Sequence, residues 1–346
     1  MVPPWRCRFR GSIASNSIRK ATDAVKYWSN ALKIQNQIGP HLNEGCEYRE
    51  QIGPDVGGHT VLAYLSRRYQ HSSTTEWMDR IAAGHILIDC EPASAEEVLR
   101  AGNSLTWQRP PWIEPETPIA FSVLYEDEDV LAVAKPAGLP TLPGANFLQS
   151  TLIFQVQLYA PDATPLHRLG RWTSGIVLCA RNHTARKELM HQWSARKIGK
   201  RYRALASGLP GWRELTITEP IGEVPHPLLG SVHAATPAGK PALSHANVLE
   251  RRLDSVLCDV RIETGRPHQI RIHMAATGHP LVGDPLYGAG GIPAVDSKAV
   301  PGDPGYLLHA AELRFRHPRT AREMVVDCEP PCILQPGFGG NVGKSG

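Results

Sequence analysis

Long apolar runs are missing from this sequence of 346 residues. None approaches the roughly 18 residues that a membrane-spanning helix needs, so a soluble protein with no membrane association is expected. Charge of one sign is scarce as well: 37 Lys and Arg stand against 33 Asp and Glu, a net charge of +4. A balance that mild permits a nucleic-acid partner without demanding one, and local arginine clusters have to carry that case. The seven cysteines are odd in number and scattered, with Cys328 and Cys332 the one close pair. That spacing gives neither a disulfide framework nor a zinc site, and the expectation is buried free thiols in a reducing compartment. No continuous apolar segment follows the basic N-terminus, which argues against a secretory signal.

What is present fits a soluble globular chain. Hydrophobic residues make up 42% and charged residues 20%, both ordinary for such proteins, and the length accommodates two domains. Up to His41 the composition differs, with seven Lys and Arg against the single acid Asp23. That stretch fits an organellar transit peptide, a disordered basic tail or an extended gene model, and an unstructured tail over 1–54 is the reading adopted. The expected location is the cytoplasm, or an organelle if the tail is a transit peptide.

From Thr60 the pattern tightens. Val61, Leu62, Leu65 and Tyr69 fall on one helical face with Arg67 and Arg68 on the other side. Ser73-Thr74-Thr75-Glu76 is a capping box that opens a second helix through Trp77 and Ile81, ended by Gly84. Ile86-Leu87-Ile88 and Leu105-Thr106-Trp107 read as short strands. These elements make a small αβ domain over 55–108. Arg109 to Pro118 is too proline-dense for a helix or an internal strand and is taken as a linker. A larger domain then runs over 119–331, with a Gly-rich tail over 332–346.

Within the larger domain, His167-Arg168-Leu169-Gly170-Arg171-Trp172-Thr173-Ser174-Gly175 is a basic, polar turn. It runs into Ile176-Val177-Leu178-Cys179-Ala180, short and partly β-branched, which reads as a buried strand. Such a turn is a rigid place to hold an anionic ligand. It is no phosphate loop, because Ile176 and Val177 stand where Lys and Ser or Thr are required. It is no nucleophile elbow, because Ser174 lacks a glycine two residues before it. A helix over Thr184 to Arg196 follows, then a strand from Lys200 to Ala206 in which basic and apolar residues alternate. Strands from Ala242 to Val248 and Ser255 to Ile262 precede Glu263-Thr264-Gly265-Arg266-Pro267-His268-Gln269-Ile270-Arg271-Ile272-His273, which opens a helix. His268 and His273, five apart, do not share a helix face, so no metal is expected there.

Taken together these stretches resemble the RluA-type RNA pseudouridine synthases. His-Arg-Leu-x-x-x-Thr-Ser-Gly is similar to the family's first motif, Lys200-x-Tyr202 before an apolar strand to its second, and Glu263 to Gly288 to its third. The two helices and two strands of the smaller domain resemble an S4-like RNA-binding module. The resemblance implies an α+β fold: a catalytic domain on a mixed, mainly antiparallel central sheet with flanking helices, preceded by the S4-like αβ domain. It implies isomerisation of uridine to pseudouridine in structured RNA, rRNA or tRNA, with no cofactor, no metal and no obligate protein partner. The base must leave the stack to be reached, and a carboxylate acts at the sugar or the base. By motif, Tyr202 packs on the uracil and Arg271 pairs with the carboxylate. Arg168, Arg171, Thr173, Lys200, Arg266, His268 and Gln269 would contact RNA, as would Arg67 and Arg68 of the smaller domain. The position of the family's catalytic Asp is Gly170, which can supply no carboxylate. Three consequences are open: another acid, Asp284 or Glu263, approaches Arg271; water or phosphate fills the gap and the cleft binds RNA without reacting; or Arg271 is exposed.

Overall fold

A computed structural model of the protein describes residues 6–8, 41–56, 58–294 and 297–338. The chain divides into two units, with the boundary between Glu114 and Pro115.

The first unit is small and mixed. Helix α1 (Val61–Arg68) starts at Thr60, whose side chain accepts from the Ala63 N–H. Helix α2 (Thr74–Ala82) carries the capping box read from the sequence, Ser73 accepting from the Glu76 backbone and Glu76 from the Ser73 backbone. The sheet orders β1 (Arg6–Arg8), β2 (Cys46–Gln51), β5 (Ser104–Arg109), β3 (Ile86–Ile88) and β4 (Glu91–Pro92). Val61, Leu65, Trp77, Ile86, Leu99 and Leu105 are fully buried between helices and sheet.

Three boundaries differ from the sequence reading. Residues 41–54 were expected in an unstructured tail, yet β2 pairs along β5 and His41–Leu42 pairs with Ile113–Glu114. Strand pairing at a distance of some sixty residues leaves no local signal there. The same pairing takes the first half of the expected linker, through Glu114, into the first unit; the buried Glu114 carboxylate accepts from Asn43 at 2.8 Å. At the other end, Leu334 is buried against Leu205 and Leu257, and Arg252 donates to the carbonyls of Ile333 and Gln335. The larger domain therefore continues past 331. Among the described residues five cysteines are free, but of these Cys90 and Cys332 are exposed rather than buried, and Cys46 is disulfide-bonded, a pairing that scattered spacing does not disclose.

The second unit is built on a mixed, mainly antiparallel sheet. Its order is β10 (Glu214–Ile217), β11 (Ser244–Arg251), β12 (Ser255–Ile262), β9 (Gly199–Ser207), β13 (Leu308–Arg316), β8 (Ser174–Ala180), β7 (Val130–Lys135) and β6 (Ser122–Glu126). Strand β14 (Glu323–Asp327) pairs with β13. The one parallel contact is short, Ser174 and Gly175 of β8 against His309 and Ala310 of β13. Gly175 is required there: its φ is +106°, and a Cβ would lie 2.2 Å from the Ala310 carbonyl oxygen.

Alternation along the strands divides the core between two faces. Leu131, Val133, Val177, Cys179, Tyr202 and Val260 pack on one face with helix α3 (Leu152–Tyr159) and helix α5 (Gln269–Ala276). Val130, Ala132, Ile176, Leu178, Leu313 and Phe315 pack on the other with helix α4 (His183–Ser194). Burial on both faces explains why β7 and β8 read as continuous apolar runs. The architecture is α+β, as the sequence implied.

Candidate active site

The turn before β8 is clamped from below by the loop after β7. Thr141 Oγ1 donates to the Leu169 carbonyl at 2.9 Å and accepts from the Leu169 N–H at 3.2 Å. The Nζ of Lys135, 1% exposed, donates to the carbonyls of Pro136, Leu139 and Arg171 at 2.9, 2.7 and 3.0 Å. Burial and then the charge of Arg171 pull its pKa down to about 7. The three carbonyls oppose that shift, since only an ammonium has three protons for them. Residues 167–175 are thereby held at a fixed height above the sheet.

The turn before α5 forms the opposite wall. His268 takes a left-handed conformation, φ 55°, at the helix N-terminus, and its Nδ1 is 2.7 Å from the Tyr287 hydroxyl. Burial first, and then the Arg271 charge, depress its pKa to about 3, so the ring is neutral at physiological pH. Gln269 ties the turn to β11. Its Oε1 accepts from Thr264 Oγ1 and the Arg266 N–H, and its Nε2 donates to the Leu243 carbonyl and Ser244 Oγ.

Between these walls lies a cavity of about 110 Å³. Tyr202, 8% exposed on β9, faces it, as do Arg168, Gly170, Thr173, Arg266, His268 and Arg271. Burial raises the Tyr202 phenol to about 12, which keeps it protonated. Three motifs separated by a hundred residues thus converge on one pocket. Among the residues lining it there is no carboxylate.

Arg271 nevertheless has its partner. Its Nε and Nη2 donate to the two oxygens of Asp284 at 2.7 and 2.8 Å, and Nη1 donates to the Pro301 carbonyl at 3.0 Å. Asp284 also accepts from the N–H groups of Leu286 and Tyr287. Its side chain is 0% exposed and does not reach the pocket surface. Of the three consequences open for Arg271, the first is therefore found in part: an acid meets the guanidinium, but behind the pocket. Glu263 lies elsewhere, 3.1 Å from His245.

The place left by a side chain at position 170 is filled from the same face of the sheet by a residue distant in sequence. A Cβ there would stand 2.7 Å from the Tyr306 hydroxyl oxygen and 3.3 Å from Thr173 Oγ1. Tyr306, just ahead of β13, is 4% exposed and lines the pocket. Thr173 Oγ1 donates to its oxygen at 3.3 Å, and the Arg271 guanidinium lies 4.0 Å from its ring centre. Sequence reasoning missed this residue, because nothing in the local run Gly305-Tyr306-Leu307-Leu308 marks it. The one available signal was the void itself: a glycine in a motif turn invites a large neighbour.

Three of the expected RNA contacts have partners within the protein. Arg171 donates from Nε to the Gly138 carbonyl at 3.0 Å and stacks on Phe147 and Trp172. Lys200 is 7% exposed, with Nζ 5.5 Å from the Trp193 ring centre and 3.5 Å from the Thr264 carbonyl, and burial lowers its pKa. Gln269 has both amide atoms engaged as described. The family resemblance implies phosphate contacts for both cations; the aromatic rings beside them are partners that it does not disclose. Arg168 is exposed and Arg266 half-buried. Arg67 and Arg68 are exposed in the last turn of α1.

Comparison with known proteins places this geometry. Residues 129–276 match the family described as RNA pseudouridylate synthase. The chain is 41% identical to an RNA pseudouridine synthase of Synechocystis sp. over 80% of its own length and 96% of that protein's. It is 38% identical to RNA pseudouridine synthase 5 of Arabidopsis thaliana, covering 86% of this chain and 95% of the relative. It is 33% identical to ribosomal large subunit pseudouridine synthase D of Neisseria meningitidis, over 78% and 75% of the two chains.

Proposed function

The chain belongs to the RNA pseudouridine synthase family, and we propose that its cleft takes up a uridine turned out of structured RNA and isomerises it to pseudouridine. Ribosomal RNA is the substrate class we favour, because the Neisseria relative bears the name of a ribosomal large subunit enzyme. The observation that carries this reading is the convergence of Tyr202, Arg271, Arg168 and Arg266 on one cavity. Tyr202 offers an aromatic wall to a flat base, and the two surface arginines offer charge to the flanking phosphates. The pattern of helices and strands in the first unit, with exposed Arg67 and Arg68, supports a second, S4-like contact with RNA.

A second reading is favoured by one specific observation, the absence of a carboxylate among the residues lining the pocket. On that reading the cleft holds RNA without turnover. Release of tritium from RNA labelled at uridine C5 distinguishes the two. Sustained release by the wild-type protein from ribosomal RNA supports the isomerase. Tight binding with no release, and release only after Gly170→Asp together with Tyr306→Phe, supports the binder.

A further inference from the structure

We infer that the hydroxyl of Tyr306 takes the catalytic place that a carboxylate from position 170 would occupy, acting as the nucleophile at the ribose; the inference rests on the isomerase reading. Gly170 has no side chain, and the group standing at its missing Cβ is the Tyr306 oxygen, 2.7 Å away. Tyr306 lines the same cavity as Tyr202 and Arg168. It accepts from Thr173 at 3.3 Å, which leaves its own proton available to a molecule in the pocket. The Arg271 guanidinium against its ring, at 4.0 Å, stabilises negative charge developing on the phenol. Asp284 fixes the position of that guanidinium from behind. Tyrosine is an established class of nucleophile at sugar carbons.

The chemistry balances without any other reactant. Tyr306 Oη forms a bond to C1′ as the bond from C1′ to N1 breaks, and the phenolic proton passes to the departing uracil at N1. The neutral uracil turns in the pocket against Tyr202. Its C5 then attacks C1′ and expels the phenolate, which takes the proton lost from C5. Tyr306 ends as it began, N1 carries a proton, and two inversions at C1′ restore the original configuration.

The test measures tritium release and RNA affinity on the full chain as wild type and as Tyr306→Phe, which keeps the ring and its packing. The expected result is a loss of release of at least about 10³-fold in Tyr306→Phe, with RNA affinity within a factor of about two. Reactions quenched during wild-type turnover and digested with nuclease should contain a Tyr306 peptide heavier by a base-free ribose phosphate. Equal release by wild type and Tyr306→Phe overturns the role of Tyr306 and leaves the isomerase reading standing. A wild type silent toward total RNA overturns both.

Discussion

Gly170 and Tyr306 behave as one unit in two parts of the chain, and substitutions at either are coupled. Gly170→Asp alone places a Cβ 2.7 Å from the buried Tyr306 oxygen. Overpacking of this kind costs about 1–3 kcal/mol. Tyr306→Phe removes the oxygen, and the next ring atom is 3.9 Å from the same Cβ, an ordinary contact. A double-mutant cycle in urea unfolding should therefore show Gly170→Asp destabilised in the wild-type background and close to neutral in the Tyr306→Phe background. Additive effects would mean that the turn moves aside. His167, at the start of the same turn, sets a pH limit. Its Nε2 accepts from the Leu178 N–H at 3.0 Å, and burial, then the charge of Lys200, depresses its pKa to about 3. The unfolded chain protonates this ring near its ordinary value, about 6.5. Stability from this group is complete above that pH and declines as pH falls toward 3, by up to about 1.4 kcal/mol per unit. Comparing urea midpoints at pH 7 and pH 5, His167→Gln should show a shallower decline than wild type; parallel declines would assign the effect to other groups.

At the scale of elements, the clearest consequence concerns the segment from α5 to Asp284. Asp284→Ala leaves the guanidinium of Arg271 buried and unpaired, a change that costs about 3–5 kcal/mol, and equilibrium unfolding should register it whatever the substrate. A loss below about 1 kcal/mol would mean that the Pro301 carbonyl and water suffice for Arg271. Much of the element list was legible beforehand. The α2 capping box, the apolar run of β8, the alternation of β9 and the helix after Arg266 all stand near their predicted places, because each depends on contacts close in sequence. What was not legible depends on contacts far apart. The strand at 46–51 exists through pairing with 6–8 and 104–109, both distant in sequence. The aromatic cover over Lys200 comes from α4, seven residues away in sequence but reached only once the chain folds back. Motif matching found Tyr202 and Arg271 but could not find Tyr306, whose relation to Gly170 spans 136 positions and is a matter of space alone.

The molecule as a whole carries a net charge of only +4, so RNA affinity depends on where the cations stand rather than how many there are. Binding should weaken steeply with added salt, and each phosphate contact removed should lower the slope of log affinity against log salt by about 0.7–0.9. Arg168→Ala and Arg67→Ala, both exposed, should each lower it. Arg171→Ala should leave the slope unchanged and reduce stability instead, since its guanidinium serves Gly138, Phe147 and Trp172. Filter binding between 50 and 300 mM salt, roughly the range over which such slopes are measured, separates these outcomes; a slope lowered by Arg171→Ala would place that residue at the RNA after all.

The crowding between positions 170 and 306 also orders history. A lineage moving between glycine and aspartate at 170 meets a strained intermediate if the aspartate arrives while Tyr306 is in place. The step through phenylalanine at 306 avoids that strain, so packing favours one order of the two changes over the other. A reconstructed series of intermediates should show the tyrosine gained after the carboxylate is lost, and lost before it returns.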